Sequence, residues 1–260
     1  MLNGGMGVGR MGRMMRKVMT VETRFQPLEI WSSGQAVEFR VAGAVHAWHD
    51  KRRYLTGQAW DLIAAAALLR GAGRPQSVLM LGLAGGTTFR TLRHLLPDCR
   101  LTAVDIDAEI VALARAHMEL DAIGAEVVID DAYAWLGRNR RKFDVVIDDI
   151  YLAGRDDVYR PQGAGEKALG LLRGALAEGG IFAMNLVTGT GHRRVQSAAR
   201  AMLRGAFPVV RSLCTHEAQN EVLVAGDAVG TGRVLRGFEA AFAHAGDRAL
   251  WRRIRERRIG

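Results

Sequence analysis

The stretch Ser77 to Asp107, SVLMLGLAGGTTFRTLRHLLPDCRLTAVDID, constrains the fold more than any other part of the chain. It opens with a short apolar run, typical of a buried parallel strand rather than of a helix. A glycine turn follows at Gly82, then a helix that Thr87 or Thr88 could cap, then a second apolar run that ends on Asp105. A strand, glycine turn, helix and strand, with a terminal acid about twenty residues after the first glycine, form the arrangement that holds a nucleoside.

The glycine pattern narrows the choice of nucleoside. A dinucleotide turn reads G-x-G-x-x-G, but here the run is Gly82-Leu83-Ala84-Gly85-Gly86, with Ala84 in place of the second glycine. The loop has no lysine, which argues against a P-loop. The residues favour an adenosyl sulfonium donor of the S-adenosylmethionine kind, and we assign Gly82, Ala84, Gly85 and Gly86 to its site. The alternative is that these glycines only make a tight turn.

Apolar runs alternate with helical patterns from residue 77 onward. This alternation predicts an α/β fold with a doubly wound, mostly parallel, seven-stranded sheet, whose ligands bind at the carboxyl ends of the strands. A small antiparallel β-sheet is predicted before it, at Leu28 to Trp31, Val37 to Val41 and Val45 to Trp48. His46 and His49 would face opposite sides of the last of these strands, which argues against a shared metal.

Length and charge suggest how the chain is divided. Its 260 residues, 49% hydrophobic and 24% charged, suit one large α/β domain. The net charge of +9 comes from Arg10, Arg13, Arg16 and Lys17 at one end and from six arginines against one glutamate at the other. We therefore predict a disordered basic arm over residues 1–20, the small sheet over 21–52, the nucleoside-binding domain over 53–247 and a basic tail over 248–260.

Several classes of protein are disfavoured by composition. No apolar run approaches the roughly 20 residues needed to span a bilayer. Cys99 and Cys214 are far apart and form no C-x-x-C pair, so neither a disulfide framework nor a zinc site is indicated, and no metal is expected. The expected location is the cytoplasm. We expect a small-molecule acceptor as the partner, leave a homodimer open, and expect no membrane and only nonspecific nucleic-acid contact through the basic tails.

Three acids fall where successive predicted strands end. Asp105 suits the ribose, Asp131 followed by Ala132 suits the adenine amino group, and Asp149 suits an amine or hydroxyl acceptor near the reacting sulfur. Each alone is equally typical of a helix cap. Because the carboxyl ends of parallel strands meet at one edge, we expect all three acids in one crevice.

These segments together resemble one family. VLMLGLAGGTTFRTL, VDIDAEIVALARAHM, VIDDAYAWL, FDVVIDDIY and GGIFAMNLV are similar to the polyamine aminopropyltransferases (spermidine synthases), and closest to a divergent spermidine-synthase-like branch on the S-adenosylmethionine-dependent methyltransferase fold. The resemblance implies that Asp105 and Asp107 form the ribose-binding acidic pair. It likewise implies that Asp131 and Ala132 contact adenine and that Asp149 is the catalytic aspartate.

The chain departs from the family pattern around both the donor's amine and the acceptor. Gly85 stands where the family has an aspartate that contacts the amine of the donor, and Leu152 and Ala153 replace an acid and a proline. Thr56-Gly57-Gln58 replaces a tyrosine-containing helix start, and His46 replaces a glutamine. Several of the carboxylates that a dicationic acceptor needs are therefore missing.

Other residues near the catalytic aspartate are candidates for the acceptor pocket. We assign Tyr151 beside Asp149 to catalysis, and Asp156, Asp157 and Tyr159 to the acceptor pocket.

The sequence therefore predicts a spermidine-synthase-like transferase that uses S-adenosylmethionine or its decarboxylated form. We favour methyl transfer to a small amine or hydroxyl, because Gly85 removes an anion from the region of the donor's tail. The alternatives are aminopropyl transfer that makes spermidine and a non-catalytic nucleoside-binding module.

Overall fold

A computed structural model describes residues 14–153, 158–159 and 166–259. Fourteen strands are present in this part of the chain: β1 Arg16–Glu22, β2 Pro27–Ser32, β3 Ala36–Val41, β4 Ala44–Asp50, β5 Ser77–Leu81, β6 Arg100–Asp105, β7 Glu126–Ile129, β8 Phe143–Asp148, β9 Leu152–Ala153, β10 Val158–Tyr159, β11 Leu176–Val187, β12 Val209–Cys214, β13 Asn220–Gly226 and β14 Arg255–Arg258.

Seven α-helices connect or flank these strands within the described residues: α1 Ala59–Ala67, α2 Thr87–Leu95, α3 Ala108–His117, α4 Ala132–Arg138, α5 Glu166–Gly174, α6 Arg193–Ala206 and α7 Ala245–Trp251. Short 3-10 helices occupy Leu120–Ile123, Thr190–His192 and Gly232–Ala241.

The main sheet has the strand order β14-β12-β13-β11-β8-β5-β6-β7. Strands β11, β8, β5, β6 and β7 are parallel to one another, and β13, β12 and β14 complete the sheet in antiparallel pairs. The predicted α/β fold with a mostly parallel sheet is confirmed. The sheet has eight strands, one more than predicted. The sequence did not reveal β14, because the residues of this strand are charged and give no apolar signal.

Alternate residues of the parallel strands face two separate layers of core. In β5, Val78 and Met80 join a buried cluster with the alanine-rich helix α1, whereas Leu79 and Leu81 join a second cluster on the opposite face of the sheet. All five residues of β5 are buried. Helices on both faces are the reason why the strand is apolar throughout rather than alternating.

The small antiparallel sheet is confirmed, in the order β1-β2-β3-β4. It has a fourth strand, β1, whose residues 16–20 were assigned to the basic arm. Six of the seven residues of β1 are exposed, so its sequence shows no alternation of apolar and polar residues. The arm predicted over residues 1–20 is therefore wrong at Arg16 and beyond.

The predicted basic tail is also wrong in the described residues after position 247. These residues complete α7 and form β14, which pairs with β12. Trp251 is buried, and its indole Nε1 donates to the carbonyl of Leu235 over 2.7 Å. Five of the six arginines are exposed and Arg248 is half-buried, but the segment that carries them is part of the core. No helix in the described part of the chain is long and apolar enough to cross a membrane.

Candidate functional site

A cleft of about 1090 Å³ opens at the carboxyl ends of the parallel strands, between the main sheet, the small sheet and the C-terminal segment. Most of the residues predicted for the donor and catalytic site line it: Gly82, Ala84, Asp105, Asp107, Asp131, Ala132, Asp149 and Tyr151. Asp156 and Asp157, together with the side chain of Tyr159, lie outside what the structure describes.

Gly82 allows the glycine turn to pass close to the end of β8. It has a φ of +84°, and a Cβ at this position would lie 2.5 Å from the backbone oxygen of Asp149. A side chain here would therefore be strained and would also collide with backbone. The glycine allows the turn after β5 and the end of β8 to approach each other across the cleft.

Asp105 holds this turn in place. Its Oδ2 accepts from the backbone N–H groups of Leu83 over 2.7 Å and of Ala84 over 2.9 Å, and its Oδ1 accepts from the N–H of Asp107 over 3.0 Å. Removal from solvent raises the pKa of Asp105, and these three hydrogen bonds oppose the rise. A carboxylate has about four acceptor positions, so among the described residues one position is left for a ligand.

Asp107 is used by the fold itself. It caps α3, with its Oδ1 accepting from the N–H groups of Glu109 and Ile110, and its Oδ2 accepts from the Thr23 hydroxyl over 2.7 Å. The residue is only 3% exposed. This burial argues against the predicted contact between Asp107 and a ribose.

Gly85 and Gly86 face away from the cleft, contrary to the prediction for the glycine run. A Cβ on Gly85 would overlap Ala47 of the small sheet and Met118 after α3. Gly86, with a φ of +77°, is the residue before α2, and a Cβ there would lie 2.7 Å from Leu120. Both glycines therefore serve packing, and an aspartate at position 85 would point into the interior rather than towards a donor.

Asp131 and Asp149 lie just after the ends of β7 and β8, respectively. Asp131 is exposed and caps α4, with Oδ1 accepting from the N–H of Ala134 over 2.8 Å. The amide of Asn185 donates to Asp149 Oδ1 over 2.7 Å, and Asn220 donates to the Asn185 oxygen over 3.0 Å. Because Asn220 engages that oxygen, the NH₂ group of Asn185 is the one that faces Asp149.

Tyr151 supports the same strand end. Its hydroxyl donates to the carbonyl of Asn185 over 2.8 Å and accepts from the N–H of Val187 over 3.3 Å. The phenol oxygen therefore binds the backbone of β11. This geometry favours a positioning role over the direct catalytic role predicted for Tyr151.

The small sheet supplies part of the cleft, where the sequence pointed to His46 but not to Trp48. His46 and Trp48 line the cleft from one face of β4, whereas His49 is buried on the other face, as the alternation predicts. Burial lowers the pKa of His46, which favours the neutral ring. Among the described residues, no cluster of three or more His, Cys, Asp or Glu side chains could hold a metal ion.

Arg53, Trp60 and Arg253 also line the cleft and were likewise missed. They carry no motif, because their place in the cleft depends on packing between distant segments. Asn185 lies two residues before the end of β11 and Asn220 is the first residue of β13, so their places near strand ends are a weak signal.

The fold and the cleft together define an α/β domain of the methyltransferase-like fold class. Residues 61–217 match the model of the spermine/spermidine synthase domain. This match covers more than half of the chain, so the protein belongs to that family, whose members are transferases.

Curated relatives fall into two activity classes. A probable polyamine aminopropyl transferase from Bifidobacterium longum (strain NCC 2705) is 32% identical over 137 residues, which are 52% of this chain and 29% of that protein. An eEF1A lysine and N-terminal methyltransferase homolog from Drosophila pseudoobscura pseudoobscura is 32% identical over 158 residues, 57% of this chain and 23% of that protein. The chain thus spans less than a third of the length of either relative.

A solved structure supports the fold over most of the chain. The crystal structure of a spermidine synthase in complex with the transition state analogue AdoDATO matches with a TM-score of 0.70. The match covers 89% of this chain and 86% of that one, at 17% sequence identity. At this identity the likeness shows the fold alone.

Proposed function

We propose that the protein is a spermidine-synthase-like transferase that binds an S-adenosyl sulfonium donor in the cleft and transfers its methyl group to a small amine or hydroxyl acceptor. One observation carries the proposal: Asp105 fastens the glycine turn directly across from the end of β8, where Asp149 faces the same cleft. A nucleoside site and a carboxylate suited to an acceptor are thereby combined.

The residues present fit a nucleoside. Asp105 keeps an acceptor position for a ribose hydroxyl, and Asp131 is an exposed acid beside Ala132 at the next strand end. Ile106 also lines the cleft, is 40% exposed and offers an apolar surface to a base. The cleft volume of about 1090 Å³ suits a ligand with an acceptor beside it.

The chemistry asked of the chain is modest. A bound sulfonium donor supplies a carbon that is already activated towards a nucleophile. Asp149, oriented by Asn185, holds the acceptor's N–H or O–H group in line and takes its proton. Most of the expected rate enhancement comes from this positioning.

Aminopropyl transfer is the second candidate. It is favoured by the relative named as a probable polyamine aminopropyl transferase. Methyl transfer is favoured by the relative named as a methyltransferase homolog. A non-catalytic nucleoside-binding module is the third candidate, and it differs from both in forming no product.

Calorimetry with S-adenosylmethionine and methylthioadenosine tests the nucleoside site. We expect Asp105→Ala to weaken binding of both by about 1.5–3 kcal/mol, the usual contribution of a hydrogen bond to a charged group. Asp98→Ala, at an exposed acid outside the cleft, is the matched control. Unchanged affinity in folded Asp105→Ala would show that the assignment is wrong.

Mass spectrometry then tests the reaction. The protein is incubated with each donor form and a panel of small amines and alcohols, including putrescine. We expect methylated products, and expect Asp149→Asn to bind S-adenosylmethionine normally while losing product. Spermidine from putrescine and the decarboxylated donor would instead establish aminopropyl transfer.

A further inference from the structure

Arg53 occupies the wall of the cleft in a fixed orientation. Its Nε donates to Oδ1 of Asp247 over 2.5 Å, and the N–H of Tyr54 donates to Oδ2 of the same carboxylate over 3.0 Å. Asp247 is 1% exposed and the Arg53 side chain 27% exposed. A buried carboxylate therefore anchors the inner edge of a guanidinium whose outer part reaches the cleft.

The backbone around Arg53 is equally well anchored. Arg90 of α2 donates to the carbonyl of Arg53 over 2.5 Å, and the Thr91 hydroxyl donates to the carbonyl of Tyr54 over 3.1 Å. Helix α2 begins directly after the glycine turn, so the position of Arg53 is tied to that turn. Gly246 leaves room for the guanidinium, since a Cβ there would lie 3.2 Å from its Cζ.

The two terminal nitrogens of Arg53 set it apart from other half-buried arginines. Within the described part of the chain, Nε is the one nitrogen of the Arg53 guanidinium that has a partner. Arg40, Arg200 and Arg211, in contrast, each bind a glutamate through a terminal nitrogen. A planar guanidinium with both terminal groups available matches the two oxygens of a carboxylate.

The order of strands shows which carboxylate would reach it. The strands β7, β6, β5 and β8 are successive neighbours in the sheet, and at their carboxyl ends lie Asp131, Asp105, Gly82 and Asp149, respectively. A base near Asp131 and a ribose near Asp105 direct the sulfonium end towards Gly82 and Asp149. The amino-acid part of the donor would then extend towards the remaining cleft walls, which include Arg53.

We propose that Arg53 binds the carboxylate of intact S-adenosylmethionine, with Asp247 as a positioning residue, an assignment that rests on the function proposed above. The decarboxylated donor has only an ammonium group at this end, which the arginine repels. Arg53 thus selects the carboxylate-bearing donor, and with it methyl transfer over aminopropyl transfer.

Calorimetry with three ligands tests the proposal: S-adenosylmethionine, its decarboxylated form, and methylthioadenosine, which has no amino-acid chain. We expect the protein to bind S-adenosylmethionine more tightly than the decarboxylated form. Arg53→Gln should weaken S-adenosylmethionine binding by roughly tenfold or more and leave methylthioadenosine unchanged. Arg52→Gln removes an exposed neighbouring charge and should change none of the three affinities.

The outcomes separate the two proposals. Failure of the unmodified protein to bind any of the three nucleosides would refute the proposed function. If the unmodified protein binds all three, two results would refute the carboxylate assignment alone. One is an undiminished affinity of Arg53→Gln for S-adenosylmethionine, and the other is an equal loss of affinity for all three ligands. If Arg53→Gln does not fold because Asp247 loses its partner, the double variant Arg53→Gln/Asp247→Asn removes both charges. The same loss of preference for the intact donor is expected there, and a retained preference would refute the assignment.

Discussion

At the scale of single residues, the acids around the cleft serve the fold before they serve a ligand. Asp105 binds three backbone N–H groups, Asp107 caps a helix and binds Thr23, and Asp131 caps α4. Such interactions are the ordinary use of aspartate at strand and helix ends. A position at a strand end therefore identifies candidates, and the exposure of each carboxylate together with its unused acceptor positions decides which of them can bind a ligand.

Asp61 is a buried acid that holds a wall of the cleft. Its carboxylate accepts from the backbone N–H groups of Thr56 and Gly57 and from the Thr56 hydroxyl. Burial raises the pKa of Asp61 from 3.8 to about 7, more than these hydrogen bonds lower it. The ionised form is thus the costly one in the folded protein.

This shift predicts a pH dependence of stability. Between the two pKa values the folded state retains a proton that the unfolded chain has lost, so the contribution of Asp61 to the free energy of unfolding falls as the pH rises from about 4 to 7. The expected slope is at most about 1.4 kcal/mol per pH unit. We expect Asp61→Asn to be less stable overall but to lack this part of the slope.

Urea unfolding of the two proteins at pH 5 and pH 8 measures the effect. Asp98→Asn, at an exposed acid, is the control and should retain the slope of the unmodified protein. The same difference between pH 5 and pH 8 with and without Asp61 would contradict the prediction.

At the scale of elements, the small sheet and the glycine turn form one packed unit. The Thr87 hydroxyl, in the first turn of α2, donates to the backbone oxygen of Trp48 over 2.9 Å and accepts from the N–H of the same residue over 2.8 Å. The sequence suggested that Thr87 caps α2, but its side chain joins that helix to β4 instead. Gly85 lies at the same junction, against Ala47 and Met118.

This junction predicts the effect of side chains at position 85. Gly85→Ala should destabilise the protein by about 1–3 kcal/mol because the added methyl meets two neighbouring elements, and Gly85→Asp should destabilise it more because it also buries a charge. Gly205→Ala is the control: this glycine lies in α6, a Cβ there would meet no atom within 4 Å, and the change should be neutral or stabilising.

Thermal or urea unfolding measures both changes. A stable Gly85→Asp protein that gained affinity for decarboxylated S-adenosylmethionine would show that the side chain at position 85 reaches the donor after all.

At the scale of the whole molecule, the C-terminal segment completes both the core and the cleft. The Trp251 ring lies 5.3 Å from that of Phe242, and Asp247 is a buried partner of Arg53. Strand β14 covers the edge of β12. The cleft is therefore bounded by residues from both ends of the described chain.

We expect a chain that ends at residue 247 to lose its cooperative fold, because it lacks Trp251, Ile254 and β14. Circular dichroism and a thermal melt measure this loss. The control is Arg257→Gln/Arg258→Gln, which removes two exposed charges from β14 and should leave the melt unchanged. A truncated chain that melts as the full chain does would restore the interpretation of this segment as a dispensable tail.

Much of the main sheet was predictable from the sequence. The apolar runs of β5, β6, β7 and β8, separated by helical patterns, indicate parallel strands, and the connection rules of α/β folds bring their ends together. The placement of Asp105, Asp131 and Asp149 at one cleft follows from local patterns and chain order alone. Strands β1 and β14 were not predictable, because exposed edge strands require no apolar residues.

Tertiary structure alone decided how these acids are used and what faces them. Arg53 meets Asp247, 194 residues further along the chain, and Thr87 meets Trp48, 39 residues earlier. Such pairs arise from the packing of the whole chain, to which local propensity contributes nothing. The sequence by itself determined the succession of strands and helices along the chain and the acids at the strand ends. The hydrogen bonds that leave one acceptor position on Asp105, and direct Arg53 into the cleft, depend on distances that exist only after folding.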